Sequence, residues 1–227
     1  FMAKGKFANG FPRRYMLGIV TIFGLIGGSW FYFKLGISDV SVPFAGLLPL
    51  GIGFIAFFTF ITLGVFSSGV IDGIDGLAGG VMAIIFAAYS TIAFFQNQID
   101  IAVFCATLTG GIMAFLWFNI PPARFYLGET GMLGLTMTLT VVAFLTNQVF
   151  TLPLIALMLT VTALSSSVQI VSKSIRGPEK GKIFKVAPLH HHFEAIGWSR
   201  PKITMRYWIL SIISAVLGII IALSQNL

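Results

Sequence analysis

Long uninterrupted apolar segments are the feature that most limits how this chain can fold. A membrane-spanning helix needs roughly 20 mostly apolar residues, and seven segments have about that length. They are 15–33, 44–65, 77–95, 101–118, 132–147, 150–171 and 206–224. The segments do not alternate in polarity, which favours helices over strands. Only 9% of the residues are charged, against roughly 25% in soluble domains. The sequence therefore predicts an all-α, polytopic membrane helical bundle with about seven transmembrane helices.

The stretch 132–171 carries no charge and is too long for one helix. We expect a hairpin at Asn147-Gln148 and Pro153, because proline is tolerated best in the first turn of a helix. No linker divides the chain, so residues 1–227 are predicted to form a single integral membrane domain. Cys105 lies within an apolar run and is predicted to be a buried core residue. The basic start of the chain leads into a spanning segment without a cleavage pattern, and a first residue Phe1 favours a piece of a longer protein.

Basic residues fall almost entirely on one side of the predicted membrane. Thirteen of the fourteen lie on one side, in alternate connections or, for Arg206, at the edge of the last span, and only Lys34 lies on the other side. The positive-inside rule assigns the basic side to the cytoplasm, with the N-terminus cytoplasmic and the C-terminus outside. The net charge of +7 is therefore expected to face lipid heads or phosphates, and no nucleic acid is predicted as a partner.

The segment Asp72-Gly73-Ile74-Asp75-Gly76 places two carboxylates three residues apart. They share one face if the segment is helical, and the glycines let a ligand come close. Such a pair can hold magnesium or accept hydrogen bonds from a sugar or base. It can also simply cap the helix that begins at Leu77, and the spacing leaves both interpretations open.

The loop 119–131 combines Asn119, Arg124, Tyr126 and Glu129 with prolines and glycines. Glu129 precedes a predicted helix, where the helix dipole favours a carboxylate, and it is equally a candidate ligand for magnesium. Tyr126 can stack on a nucleobase or serve as an aromatic residue of the membrane interface.

All three histidines of the chain, His190, His191 and His192, lie in the predicted cytoplasmic loop 172–205 among lysines and arginines. The positive-inside rule explains basic residues there but not histidines. Consecutive side chains cannot all face one way. We therefore expect one or two of them to contact phosphate or sugar, while the third packs or orients its neighbours.

Carboxylates, cations and histidines on one membrane face match the requirements of phosphoryl transfer, which depends on positioning and charge neutralisation. Magnesium held by one or two carboxylates would bridge phosphate oxygens, and an apolar groove between helices would hold a lipid acceptor. No charge lies in the middle of a predicted span, which disfavours a channel.

Three segments resemble the phospho-N-acetylmuramoyl-pentapeptide transferase family. Residues 183–194, IFKVAPLHHHFE, followed by Gly197-Trp198, resemble its histidine signature. Residues 72–78, DGIDGLA, and 118–131 resemble its D-G-L-D-G-L-A segment and its F-N-x-x-P-A-x-x-F-M-G-D-x-G loop. The resemblance implies transfer of phospho-N-acetylmuramoyl-pentapeptide from UDP to undecaprenyl phosphate, with release of UMP. It also implies Mg²⁺, a homodimer, and an active site on the cytoplasmic face of the bacterial cytoplasmic (inner) membrane, in peptidoglycan synthesis for cell shape and division.

The resemblance also assigns roles to residues. Asp72 and Asp75 match the paired aspartates of the family, and they join the three histidines as candidate catalytic residues. Of these, Asp75, His190 and His191 are also candidate substrate-binding residues, because they match positions near the nucleoside and phosphates.

The loop residues receive the remaining roles. Asn119 matches an asparagine of the family's loop, and Tyr126 stands where a phenylalanine contacts uracil, so both are candidate substrate-binding residues. Glu129 stands where the family has its magnesium-binding aspartate, and it is the candidate metal ligand.

Four positions depart from the family's pattern. Phe66 and Gly69 stand where asparagines are usual, Met132 stands where serine is common, and Glu129 replaces aspartate with a longer arm. An aspartate pair that precedes these motifs in the family does not occur in this sequence. We therefore expect the chain alone to be inactive or nearly so.

Three other interpretations remain open. A close relative could use another UDP-amino sugar, such as UDP-N-acetylglucosamine. A divergent binding or transport protein could have kept the pocket and lost the chemistry, as Phe66, Gly69 and Glu129 would suggest. A channel with a histidine gate is the least favoured.

Overall fold

The computed structural model describes residues 13–224, and side chains from residue 15 onward. This part of the chain is helical apart from one short hairpin. The helices are α1 (Arg13–Phe33), α2 (Gly53–Ser67), α3 (Leu77–Phe95), α4 (Ile99–Asn119), α5 (Gly128–Leu145), α6 (Leu152–Ile155), α7 (Leu157–Arg176), α8 (Leu189–Ala195) and α9 (Arg200–Ser224), and the strands are β1 (Asp39–Val42) and β2 (Gly46–Pro49). The prediction of an all-α membrane bundle is confirmed.

Helix α3 is the centre of the bundle and packs against α4 on one flank and α9 on another. It is the most buried of the long apolar helices, because alanines and glycines let its neighbours approach closely. A Cβ atom at Gly80 would overlap the indole of Trp208 on α9. Cys105 on α4 is fully buried, as predicted. Because the residues of α3 at this contact are small, α9 can pack close to α3 and to the residues just before it.

An aromatic cluster joins the first two helices to α5. Phe31 of α1, Phe54 and Phe58 of α2 and Phe144 of α5 are buried, and the rings of Phe58 and Phe144 lie 4.4 Å apart. Aromatic pairs at such distances contribute about 0.5–1.5 kcal/mol beyond their buried area. The cluster thus ties α1 to the bundle.

The predicted span 44–65 begins too early. Residues Asp39–Val42 and Gly46–Pro49 form an antiparallel hairpin with Val42 opposite Gly46, and α2 begins only at Gly53. Pro43 and a left-handed Gly46 (φ 87°) break the helix that hydropathy alone predicts.

Six helices of the described range are long and apolar enough to cross a membrane, against about seven predicted from the sequence. The predicted span 150–171 is the one outside this set. It is split at Ala156 into α6 and α7, and α7 is rich in serine and threonine.

Helix α7 nevertheless runs between the same two ends of the bundle as its neighbours. Just before α7, Ile155, the last residue of α6, packs where a Cβ atom on Gly218, late in α9, would lie. In the second half of α7, Gln169 accepts hydrogen bonds from the N–H groups of Ile183 and Phe184, in the loop before the histidines. The chain thus passes seven times between the two ends.

Alternate connections meet at opposite ends of the bundle, as the predicted topology requires. At one end, which we call the far end, Asn147 accepts a hydrogen bond from the Ser41 N–H at 2.9 Å, and Gln96 donates one to the Thr146 carbonyl at 3.1 Å. The opposite end, which we call the site end, carries residues 68–76, 119–129 and 177–200. The assignment of the site end to the cytoplasm stays a prediction.

Candidate functional site

The two aspartates of the site end bind the neighbouring loop and do not cap α3. Asp72 Oδ2 accepts a hydrogen bond from the Gly128 N–H at 3.1 Å, and Asp75 Oδ2 accepts one from the Ala123 N–H at 3.3 Å. The N-cap residue of α3 is Gly76 (φ 75°), and no side chain caps this helix. The capping interpretation is therefore excluded, and the pair instead positions the loop 120–128.

Asp72 follows the 3-10 helix Ser68–Ile71 and lies at the rim of a cavity. Partial burial of its carboxylate raises the pKa of Asp72 above its ordinary value, and the hydrogen bond from the Gly128 N–H acts in the opposite direction. Among the residues that the structure describes, only one of the two carboxylate oxygens of Asp72 has a hydrogen-bond partner, and a partly desolvated carboxylate with a free oxygen is suited to bind a cation.

Asn119 holds the two motifs together from the last residue of α4. Its Oδ1 atom accepts a hydrogen bond from the Gly76 N–H at 3.0 Å, and its Nδ2 atom donates one to the Phe125 carbonyl at 2.7 Å. The side chain is 5% exposed. The structure thus gives Asn119 a positioning role, and the predicted contact between Asn119 and substrate stays a prediction.

Tyr126 and Glu129 are exposed on the loop that Asn119 and the aspartates fix in place. Tyr126 is 73% exposed, so its ring is accessible to a ligand. Glu129 lies in the first turn of α5, where the helix dipole favours a negative charge. The same residue lines the cavity beside Asp72, so the helix-dipole and metal-ligand interpretations of Glu129 both remain open.

A cavity of about 490 Å³ lies between α1, α2, α5 and α7, with Asp72 and Glu129 in its wall. Phe66, Gly69 and Met132, three of the positions that depart from the family's pattern, line this same cavity. A Cβ atom at Gly69 would meet the Met132 side chain at 3.7 Å. The departures therefore form one apolar wall of the cavity that the two carboxylates also line.

His190 is the buried member of the histidine run. It is fully buried, with its ring centroid 4.3 Å from that of His191. A Cβ atom at Gly73 would lie 2.7 Å from its Nε2 atom. Burial, helped by the neighbouring His191, lowers the pKa of His190 to about 4. His190 is therefore neutral near pH 7. The histidine helix α8 lies directly on residues 72–76, which we call the aspartate turn.

His191 is oriented by a carboxylate. Its Nδ1 atom lies 2.9 Å from Glu194 Oε2, and Arg200 Nε donates to the other oxygen of Glu194 at 2.6 Å. Hydrogen bonds from Arg200 and His191 hold the pKa of Glu194 below its ordinary value. Because Nδ1 of His191 faces Glu194, its Nε2 atom faces Gly73, 2.8 Å from where a Cβ atom would lie.

His192 is the member that packs against the loop. Its Nδ1 atom accepts a hydrogen bond from the Lys185 N–H at 3.1 Å, and its ring packs edge-on against Phe184. Of the three histidines, His190 and His191 lie against the aspartate turn. His192 packs against the loop, and the predicted contact of one or two histidines with phosphate or sugar stays a prediction.

The structure adds positioning residues that the sequence does not single out. Gln169 of α7 is buried and accepts hydrogen bonds from the N–H groups of Ile183 and Phe184 at 3.0 and 3.1 Å. Glu194 and Arg200 orient His191. The spacing of Glu194, three residues after His191 on a helix, is a signal that could have identified it, whereas nothing in the sequence marks Gln169.

The donor set for a metal ion is small. Among the residues that the structure describes, no group of three or more histidine, cysteine or acidic side chains could hold a metal ion. Asp72 and Glu129, which share one cavity wall, are the carboxylates placed to do so with the help of ligand oxygens.

The chain is similar in sequence to known proteins. Residues 12–147 match the model of glycosyl transferase family 4. A phospho-N-acetylmuramoyl-pentapeptide-transferase of Chloroflexus aggregans is 34% identical over 226 residues, which are 95% of this chain and 62% of the relative. The Listeria welshimeri enzyme of the same name is 35% identical over 201 residues, covering 85% of this chain and 61% of the relative.

A third protein of that name, from Chloroflexus aurantiacus, is 38% identical over 190 residues, with 81% of this chain and 52% of the relative covered. The chain thus spans between half and two thirds of the length of these relatives. Because the family model covers more than half of its residues, the chain belongs to glycosyl transferase family 4.

Proposed function

We propose that this chain carries the substrate site of an enzyme that transfers phospho-N-acetylmuramoyl-pentapeptide from UDP to undecaprenyl phosphate, releasing UMP. The observation that carries the proposal is the meeting of three sequence motifs at one end of a membrane bundle. Asp72 binds the loop at Gly128, and His190 and His191 lie over Gly73. The names of the relatives favour the muramoyl substrate over other UDP-amino sugars.

The nucleoside is proposed to bind on the loop 120–128. The ring of Tyr126 is exposed and can stack on a base, and Asn119 holds the backbone beneath it. Asp75, which lies at the base of the same loop, is proposed to interact with the uridine. In this arrangement Asn119 contributes by fixing the loop on which the base stacks.

The diphosphate is proposed to lie between the histidine helix and the cavity. His191 has Nδ1 occupied by Glu194, so Nε2 is the nitrogen available to a phosphate oxygen. Arg200 is close enough to Asp75 and Tyr126 to interact with them electrostatically, and it adds positive charge beside the loop. Neutral His190 contributes no charge and instead keeps α8 packed on Gly73.

Magnesium is the proposed cofactor, with Glu129 as its ligand and Asp72 beside it. The two residues fit the ion because both are oxygen donors in one cavity wall, and Mg²⁺ in such sites takes one or two carboxylates together with substrate phosphates and water. When bound, the ion would neutralise charge on the phosphate oxygens. The longer arm of Glu129 places its carboxylate further from the α5 backbone than aspartate would.

The lipid acceptor is proposed to enter along the apolar wall of the cavity formed by Phe66, Val70 and Met132. We further propose that the site end faces the cytoplasm, because thirteen of the fourteen basic residues are assigned to that side. We also propose that the protein is a homodimer in the bacterial inner membrane. Its product would be used in peptidoglycan synthesis, which serves cell shape and division.

UMP release tests this function. The chain would be reconstituted in lipid, alone and fused to the upstream segment of the Chloroflexus aggregans relative, and given both substrates with and without magnesium. We expect magnesium-dependent UMP from the fusion and little from the chain alone. An Asp72→Asn fusion controls for contaminating activity. A folded fusion that binds UDP-N-acetylmuramoyl-pentapeptide but never releases UMP would refute the proposal, and release with UDP-N-acetylglucosamine instead would redirect it to a related transferase.

A further inference from the structure

Two cations stand on the first two turns of α9 and share one aromatic ring. Lys202 Nζ lies 5.0 Å from the centroid of the Trp198 ring, and Arg206 Cζ lies 4.2 Å from it. Trp198 itself stacks on Phe193 at 4.5 Å with an interplanar angle of 14°. The indole therefore holds the two positive charges close to each other in fixed positions.

Neither cation has a counter-charge within residues 13–224. The nearby acidic residue, Glu194, accepts hydrogen bonds on its two oxygens from His191 and Arg200, and no salt bridge of the described residues includes Lys202 or Arg206. Both residues are exposed. Two like charges held together on a surface attract an anion that can contact both.

The position of these cations along α9 matches the depth of lipid headgroups. Residues 207–224 contain no charge and, as a helix, span about 27 Å, close to the roughly 30 Å of a bilayer's hydrocarbon core. Arg206 then lies at the edge of that core. Lys202 stands one turn further out, about 6 Å away, which is within the headgroup layer.

An apolar strip continues below the cations on the same face of the helix. Ile209 and Ile213 follow Arg206 by three and seven residues, the spacing of one helix face, and they are 56% and 52% exposed. A pair of cations above exposed aliphatic side chains is complementary to a negatively charged phosphate that carries acyl chains.

We propose that Lys202 and Arg206 bind the phosphate of an anionic phospholipid of the leaflet at the site end, with an acyl chain along Ile209 and Ile213. The same part of α9 also holds the aspartate turn in place. Thr204 donates a hydrogen bond to the Asp75 carbonyl at 3.3 Å, and Trp208 donates one to the Gly76 carbonyl at 3.1 Å. The proposal is independent of the transferase activity.

Lipid binding to the detergent-solubilised chain, measured by native mass spectrometry, tests this site. Phosphatidylglycerol and phosphatidylcholine would be titrated into the wild type, into a Lys202→Gln/Arg206→Gln variant, and into a control variant, Lys180→Gln/Lys185→Gln, which removes the same charge from the preceding loop. We expect the phosphatidylglycerol affinity to fall about tenfold to thirtyfold in the first variant. Phosphatidylcholine affinity should not change, and the control variant should stay within about twofold of the wild type.

Three results would overturn the proposal. The first is an equal loss in the control variant, which would show a response to net charge alone. The second is an unchanged phosphatidylglycerol affinity in the Lys202→Gln/Arg206→Gln variant. This holds even if the variant changes how strongly two copies of the chain associate. The third is phosphatidylglycerol binding to the wild type that does not change with salt concentration, which would exclude an ionic site. This salt titration decides the question if the Lys202→Gln/Arg206→Gln variant fails to fold.

Discussion

Replacing Gly73 with alanine tests whether close contact between the aspartate turn and the histidine helix is required. An added Cβ atom would lie 2.7 Å from His190 Nε2 and 2.8 Å from His191 Nε2. Carbon and nitrogen atoms pack without repulsion at about 3.5 Å, so α8 must move away by about 0.8 Å. His190 is fully buried, so its ring is enclosed by other protein atoms, and we expect the displacement to pass to the whole helix.

The expected cost follows from that displacement. Overpacking of this size destabilises a protein by about 1–3 kcal/mol, and a misplacement near 1 Å at a reacting site can lower the rate about 100-fold. We therefore expect the Gly73→Ala fusion protein to remain folded with a lowered Tm and to release UMP tens of times more slowly. Thermal melting and UMP release on the same preparation would measure both effects.

A matched glycine distinguishes crowding from a general effect of alanine. Gly134 is helical, on α5, and a Cβ atom there would meet nothing within 4 Å, so Gly134→Ala should keep full activity and add about 0.5–1 kcal/mol of stability. If Gly73→Ala melts and turns over like the wild type, then the contact between Gly73 and the histidines does not support the site, and the reasoning fails.

Three further predictions concern the residues around this contact. Glu194→Gln removes the charged partner of His191 and should lower kcat/KM about tenfold, whereas Glu179→Gln, which breaks an exposed pair, should not change UMP release. Asn119→Ala leaves the N–H of Gly76 without its hydrogen-bond partner and should cost about 2–3 kcal/mol, measured as a lower free energy of unfolding. The pKa of about 4 for His190 lies below its unfolded value, so stability should be full above about pH 6.5 and should fall by about 3 kcal/mol towards pH 4. A His190→Asn variant should lose that part of the dependence in pH-resolved melting curves.

The sequence predicted the membrane bundle well because apolar length is a strong and local signal. It failed where local turn chemistry overrides hydropathy, as in the hairpin at Pro43 and Gly46. The predicted span 150–171 also differs from the structure, where it is broken at Ala156 and α7 is polar. The Gln169 and Ser165 side chains of α7 hold the loop before the histidines.

The candidate site was predicted as a set of residues but not as an arrangement. Motif spacing placed the aspartates, the loop and the histidines at one end of the bundle. It could not show that Asp72 and Asp75 accept backbone N–H groups of a loop some fifty residues away in sequence. Nor could it show that Phe66, Gly69 and Met132 share one wall, since contacts between distant segments depend on how the helices pack.

The hydrogen bonds that Asp72 and Asp75 accept from the loop have a consequence for how this protein can change. Both carboxylates bind main-chain N–H groups, which every residue except proline provides. The conformation of the loop therefore depends little on which side chains stand at exposed positions such as Arg124 and Tyr126. Those positions can be exchanged, in evolution or by design, without disturbing the frame beneath them, and the proposed nucleotide preference would change with them.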